Sequence, residues 1–485
     1  MNPFLFLLTL LVCTSAFAQE PIYKEFDVDS AAQPRGGMSY LNTFLQANLR
    51  KPLLAEAKGV SGRVIVSGVV EPDGHVTDAT IMQSLRPDCD REALRVFKLF
   101  NAWQPAQKGG HPVRQLIVIP VMFRPNPPFS YVNGARVSYF DADSKPLADS
   151  SEQALYKQLM PLDTNGIPNG DLIVYQRKHS NWKEYNRLPF ARQKDWQRSS
   201  SGKQLYLVGF QNAIKLWQNE VLTVDEAGTI FRRTYYDNGR PTGSGITYHA
   251  NGAVADRKEE NEGMNSVTSW YPNGQIRKIW ASYPAKPLMP ASPERVLAFW
   301  DSTGHQLVVE GSGRLTSSTS VKSYADTTQK TTYIEQGVYE NGLKQGTWTG
   351  RYTDGSYFYE EQYEKGVCQN GKAQKNGGDT LRYIAVEQQP EFPGGMQGLG
   401  QFLAQNLRYP AEAQRGGIQG QVFISFVVCT DGTLCDYEVL KGLDSSINQE
   451  ALRVVKAMSG KWKPGMQRGQ KVRVKYNMPI NFTLQ

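Results

Sequence analysis

Histidine and cysteine are scarce in this chain of 485 residues, with five of each. His75, His111, His179, His249 and His305 stand apart, with no nucleophile motif beside any of them. No CxxC pair or His/Cys cluster has the spacing of a zinc site. Gly36–Gly37 and Gly394–Gly395 precede helix-like runs but lack the Lys and adjoining Ser or Thr of a phosphate-cradling loop. These absences argue against nucleophilic, metal and nucleotide chemistry, so neither an enzyme nor a cofactor is expected. Beyond the leader, no apolar run approaches the roughly 20 residues of a membrane span. The 27 prolines are dispersed, which removes a Pro-rich linker.

What is present fits a multidomain globular protein. Apolar residues make up 40% and charged residues 21%, too balanced for disorder. Tyr 24, Trp 9 and Gly 44 lean toward β-rich, turn-rich structure. The net charge of +8 is scattered along the chain, so a solvated surface is expected rather than a nucleic-acid partner.

Residues 1–18 carry no charge, have an apolar centre from Phe4 to Val12, and end in Ala16–Phe17–Ala18. This is the small-x-small end of a signal peptide, without the usual basic n-region, and it predicts a periplasmic or exported protein. An uncleaved anchor is the alternative. Lipidation at Cys13 is disfavoured by the bulk of Val12. Of the remaining cysteines, Cys429 and Cys435 bracket a turn and are the pair that local sequence brings together, with strand register deciding whether they face. Cys89 reads as a small buried hydrophobe.

One design is written twice. Positions 36 and 394, 44 and 402, 52 and 410, 73 and 431, and 93 and 451 each lie 358 residues apart and carry matching residues. One further residue makes Trp462 answer to Trp103 and Pro479 to Pro120. In the first copy, Leu41, Phe44, Leu45 and Leu49 recur at helical spacing; Val64, Val66, Gly68 and Val70 alternate on one strand face. Pro72–Asp73–Gly74 turns the chain into a second strand, Val76 to Met82. A second helix carries Ala93, Leu94, Phe97 and Phe100, and Val113 to Phe123 is the last strand. Glu92 with Arg95, and Glu450 with Arg453, are spaced as ordinary helix-surface ion pairs. In the second copy, Lys471 to Phe482 is the last strand. Pro120 and Pro479 cannot donate to a ladder, so both last strands are expected to have a free side, and a free side invites another chain.

The fold class expected is therefore α+β at both ends, each module with two helices and a three-stranded antiparallel sheet, around an all-β hairpin-repeat middle. The boundaries are 20–125 for the first module, 126–226 for a spacer or small uncertain domain, 227–375 for the repeats and 379–485 for the second module. Within 126–226, Tyr139–Asp141 and Leu172–Tyr175 read as strands and Ser151–Leu159 as a helix. The repeats pair aromatics with Asn–Gly or Asp–Gly turns, at Asn238–Gly239, Asn251–Gly252, Asn273–Gly274, Asn341–Gly342 and Asp354–Gly355. An insertion falls around Pro284–Pro293.

Tyr409–Pro410, Gly417–Gly420, Asp431–Gly432, Glu450–Arg453, Trp462–Lys463–Pro464 and Pro479–Phe482, in this order and twice, resemble the C-terminal domain of the TonB energy-transducer family. The middle resembles MORN-type repeats, best at Gly337–Trp348. The TonB resemblance implies a periplasmic peptide-binding domain whose last strand pairs with a short segment of an outer-membrane transporter. By that match the binding positions are Val472, Val474, Tyr476 and Met478 in the second copy and Leu116, Val118 and Pro120 in the first. About half of such alternating residues should simply face the helices. The expected partners are proteins, with a membrane involved only if the leader is uncleaved. Coupling to an inner-membrane motor lacks its usual helix and linker. The alternative function is a scaffold that self-associates, as a homodimer or stack, without a client peptide.

Overall fold

The computed structural model describes residues 21–147, 151–199, 201–261, 263–283 and 293–484. The expected signal peptide and most of the insertion around Pro284–Pro293 lie outside them. Among the described residues no helix is long and apolar enough to cross a membrane. The chain divides into two compact units: residues up to 292 with 298–306, and 293–297 with 307–485.

Each unit contains one terminal module. In the first, Gly62–Val70 is the central strand, with Val76–Gln83 on one side and Gln115–Phe123 on the other, all antiparallel. The second repeats this with Gly420–Val428 between Leu434–Lys441 and Val474–Phe482. The alternating residues Val64, Val66 and Val70, and Val422, Ile424, Phe426 and Val428, are fully buried beneath the helices. At roughly 1.5–3 kcal/mol per side chain, these rows are the main stabilisation of each module. Three helices, rather than two, cover each sheet: Met38–Asn48, Leu53–Ala57 and Pro87–Lys98, then Gly395–Asn406, Ala411–Arg415 and Ser445–Lys456. The extra one is a single short turn started by Pro52 or Pro410, residues read from the sequence only as helix ends.

The Asp–Gly turns have a packing reason beyond their hairpins. Gly74 and Gly432 adopt φ of +88° and +83°, and a Cβ on either would lie 2.4 or 2.2 Å from the carbonyl oxygen of Trp103 or Trp462. Only glycine allows the Trp-x-Pro segment to close over the turn. Gly432→Ala is expected to destabilise the second module by roughly 1–3 kcal/mol, read as a lowered denaturant midpoint at unchanged slope. A midpoint equal to wild type would rule out this packing role.

Glu92 and Arg95 do more than pair at the surface. Glu92 accepts the backbone N–H of Arg50, and Arg95 donates to the carbonyl of Asn48 while bonding Glu92 at 2.7 Å. Glu450, Arg453, Arg408 and Asn406 repeat this clasp. The ion pair expected on a helix surface thus closes the C-terminal end of the preceding long helix, where carbonyls lack partners.

The region 151–159 is not helical. Tyr156–Pro161 is a strand in a small antiparallel sheet with Ala135–Phe140, Leu172–Lys178 and Asn181–Leu188. Cross-strand aromatic contacts, such as Tyr139 with Trp182, give it packing that no single segment advertises. From Phe190 to Ser282, eight strands follow as consecutive hairpins in the first unit. The first module's long helix packs on Trp270 of these hairpins and on Trp300 beyond them: Phe44 lies 6.4 Å from Trp270, and Tyr40 lies 4.8 Å from Trp300. Asn48 accepts the N–H of Val254. In the second unit, strands from Ser312 to Tyr383 again run as hairpins.

The five Asn–Gly or Asp–Gly turns are of two kinds. Asn238–Gly239 and Asn341–Gly342 have positive φ at both residues. At the other three only the glycine does, and the side chains of Asn251, Asn273 and Asp354 accept the N–H two residues on. There the side-chain bond takes the place of a left-handed Asn or Asp.

All four described cysteines are free, and Cys89 is buried with its thiol pushed up to about 11 by desolvation. Cys429 and Cys435 form no disulfide, and the Cys435 sulfur accepts a hydrogen bond from Arg473 at 3.3 Å.

Candidate peptide-docking edges

Both last strands are at the edge of their three-stranded sheets, next to the central strand. In the first module Ile65 stands opposite Pro120; in the second Phe423 stands opposite Pro479. Antiparallel residues alternate in pointing their N–H and C=O toward one neighbour or the other. Leu116 donates outward to Tyr23, and Arg114 accepts outward from Tyr23, so even-numbered residues face the open side of the first edge. Pro120 has the same parity, which puts its missing N–H where no ladder needs it. By the one-residue-shifted correspondence, Asn477, Pro479 and Asn481 face the open side of the second edge.

The same parity sorts the side chains. Leu116, Val118 and Pro120 lie on the uncovered face of their sheet, with Leu116 36% and Val118 47% exposed. Val474, Tyr476 and Met478 lie on the opposite face, where Tyr476 and Met478 join the core. Met478 is buried, and Tyr476 stacks on Phe426 at 5.6 Å and packs on Trp462 at 5.1 Å. Val472 precedes the strand and pairs with Gly465 in a small hairpin. The seven positions chosen from sequence therefore fall in three settings, and those of the second copy are turned toward the core or lie off the edge. Asn477 and Asn481, which sequence reasoning missed, share the parity of Pro479. That proline carried the signal, because its nitrogen can only face outward on such a strand.

The two edges are not equally accessible. In the first, Tyr23 bridges to Gln115, and the amide of Gln46 donates to the carbonyl of Met122 at 2.9 Å. The start of this strand is also fixed by Arg114, whose guanidinium bonds both oxygens of Glu71 at 2.9 Å. In the second, the counterpart of Tyr23 is Leu381, which pairs with Ala373 in a neighbouring hairpin instead. The counterpart of Gln46 is Ala404, which has no amide to offer. Arg473, which answers to Arg114, makes an exposed ion pair to Asp436 at 2.7 Å and donates to the Cys435 sulfur at 3.3 Å. Among the described residues, no strand pairs with the outer side of Val474–Phe482.

The Arg114 bond holds the Glu71 carboxyl below the 4.5 of an ordinary glutamate. A depressed folded-state pKa gives stability that is fully present above the unfolded value and lost as pH falls through the folded one. Glu71→Gln should therefore cost about 1 kcal/mol near neutral pH, with the difference from wild type shrinking in acid below about pH 4. Denaturant melts at the two pH values measure it; a deficit that persists in acid would contradict the assignment.

The shared architecture is a small α+β module with an open, proline-marked edge strand. Residues 48–125 and 405–484 both match the family described as Gram-negative bacterial TonB protein C-terminal. Both terminal modules are TonB C-terminal-like domains, as their motifs implied. Solved structures similar to parts of the chain include two solution structures of the Helicobacter pylori TonB C-terminal domain. Both are 26% identical; one covers 19% of this chain and 80% of its own at a TM-score of 0.16, the other 18% and 91% at 0.15. No curated protein matches the chain.

Proposed function

We propose that this chain is an exported envelope protein that captures an extended segment of a partner protein along Val474–Phe482. The observation that carries the reading is the open side of this strand, where neither the Tyr23 bridge nor the Gln46 bond of the first copy has a counterpart among the described residues. A strand added there would bond the main chain at Asn477, Pro479 and Asn481, and its alternate side chains would meet the polar outer face of the sheet. The family match favours N-terminal segments of outer-membrane transporters as the clients. The hairpin middle, read as MORN-like repeats, serves as a spacer or second interaction surface, and no catalytic role is assigned.

Titration of the full chain with fluorescent extended peptides from transporter N-termini tests this. Saturable binding supports it, and no binding counts against it. A second reading, self-association, draws on the apolar outer row Leu116, Val118 and Met122 of the first module. A concentration-dependent dimer that binds no peptide would favour that reading.

A further inference from the structure

The first unit holds a cavity of about 520 Å³ where the ends of the first module's helices meet the small sheet and the strand Ile230–Asp237. Its walls carry five cations, Arg50, Lys51, Arg91, Arg95 and Arg233, against two carboxylates, Asp88 and Glu92. Both carboxylates are engaged. Glu92 bonds Arg95 and the Arg50 N–H, and Asp88 bonds Arg86 at 2.9 Å, which is not part of the wall. Lys51 is held by the Arg124 carbonyl and by Asn126.

Three guanidiniums retain unused capacity. Arg233 gives one terminal nitrogen to Glu220 at 3.0 Å, while its Nε is buried without a hydrogen-bond partner among the described residues. A buried donor left unmatched costs free energy, which a bound acceptor would recover. Arg50 sits over the ring of Tyr248 at 5.6 Å, and neither it nor Arg91 has an ion-pair partner among the described residues. Desolvation, followed by repulsion from Arg95, lowers the pKa of Arg50, as expected for a cation facing cations. Thr164 and Asn165 add polar groups from the facing loop.

The duplication separates these residues from the needs of the fold. At the corresponding positions the second module has Tyr409 for Lys51, Gln449 for Arg91 and Ser446 for Asp88. Arg50 and Arg95 recur as Arg408 and Arg453, within the clasp that both modules use. The same architecture therefore stands without Lys51 and Arg91. Arg233 comes from outside the module altogether.

We propose that this cavity is a binding site for a small soluble polyanion carrying two or more phosphate or carboxylate groups. The volume exceeds that of a single phosphate, and separated guanidiniums suit separate anionic groups, each held by charge-assisted bonds. This site is distinct from both edge strands and does not depend on the strand-addition reading.

Calorimetric titration of the full chain with pyrophosphate and with citrate tests it. The expected result is one site per chain for at least one probe, weakened by added salt. Arg91→Gln, which copies the second module, should lose about tenfold in affinity, and Arg50→Gln with Arg91→Gln more, at a melting temperature close to wild type. Absence of binding by both probes, or binding unchanged in Arg91→Gln, would overturn the proposal. So would sedimentation with phosphatidylglycerol vesicles in the absence of any stoichiometric pyrophosphate binding, which would mark the cluster as a lipid contact.

Discussion

Arg468→Met should destabilise the second unit by about 3–5 kcal/mol, the usual cost of removing one partner from a buried ion pair. Arg468 sits at the tip of the hairpin Gly465–Val472, just before the strand Val474–Phe482. It reaches Glu361, 107 residues away, at 2.7 Å. The Glu361 side chain is 0% exposed and also receives the hydroxyls of Tyr383 and Tyr363. The guanidinium lies 3.7 Å from the centre of the Tyr359 ring. Losing Arg468 strands a buried carboxylate, whereas Arg468→Met combined with Glu361→Leu removes both charges and should recover much of the loss. Denaturant unfolding followed by tryptophan fluorescence measures both variants. If Arg468→Met melts like wild type, this contact does not pin the hairpin that leads into the docking edge.

Asn477→Pro should weaken peptide capture about a hundredfold while leaving the module folded. The Asn477 N–H faces the open side of the strand, so its removal takes nothing from the bonds to Gly420–Val428. A proline two residues further on, Pro479, already occupies this edge in the same orientation. The added strand would lose one main-chain bond and meet the pyrrolidine ring instead, an expected fall in affinity of about a hundredfold. Met478→Pro is the contrasting variant: its N–H faces the central strand and its side chain is buried, so it should unfold the module. Peptide titrations and thermal melts on the two variants separate docking from folding. Wild-type affinity in Asn477→Pro would place the client elsewhere.

Much of the fold was legible because it rests on local periodicity. The alternating Val64, Val66 and Val70, the Asp–Gly turns and the edge prolines are each visible within a few residues, and the 358-residue repeat shows as these short motifs recurring in one order. The short helices after Pro52 and Pro410 were not, since five residues show no period. The strand Tyr156–Pro161 was misread as helix because its partners, near 137 and 174, decide its state. On Val474–Phe482 the family resemblance marked Val474, Tyr476 and Met478, whose alternation is that of the buried face. Which side the backbone leaves open is set by pairing register, and Pro479 was its single local mark. Arg468 and Glu361, Asn48 and Val254, and the arginine cavity depend on contacts between distant segments, so no sequence window contains them.

Backbone amide hydrogen exchange of the full chain, with and without a saturating transporter-derived peptide, tests strand capture most directly. The account predicts slowed exchange at the outward amides Asn477 and Asn481, with Leu116 and the rest of the first edge unchanged. Unchanged exchange at Asn477 and Asn481 under saturation, or protection confined to the first module's edge, would contradict it.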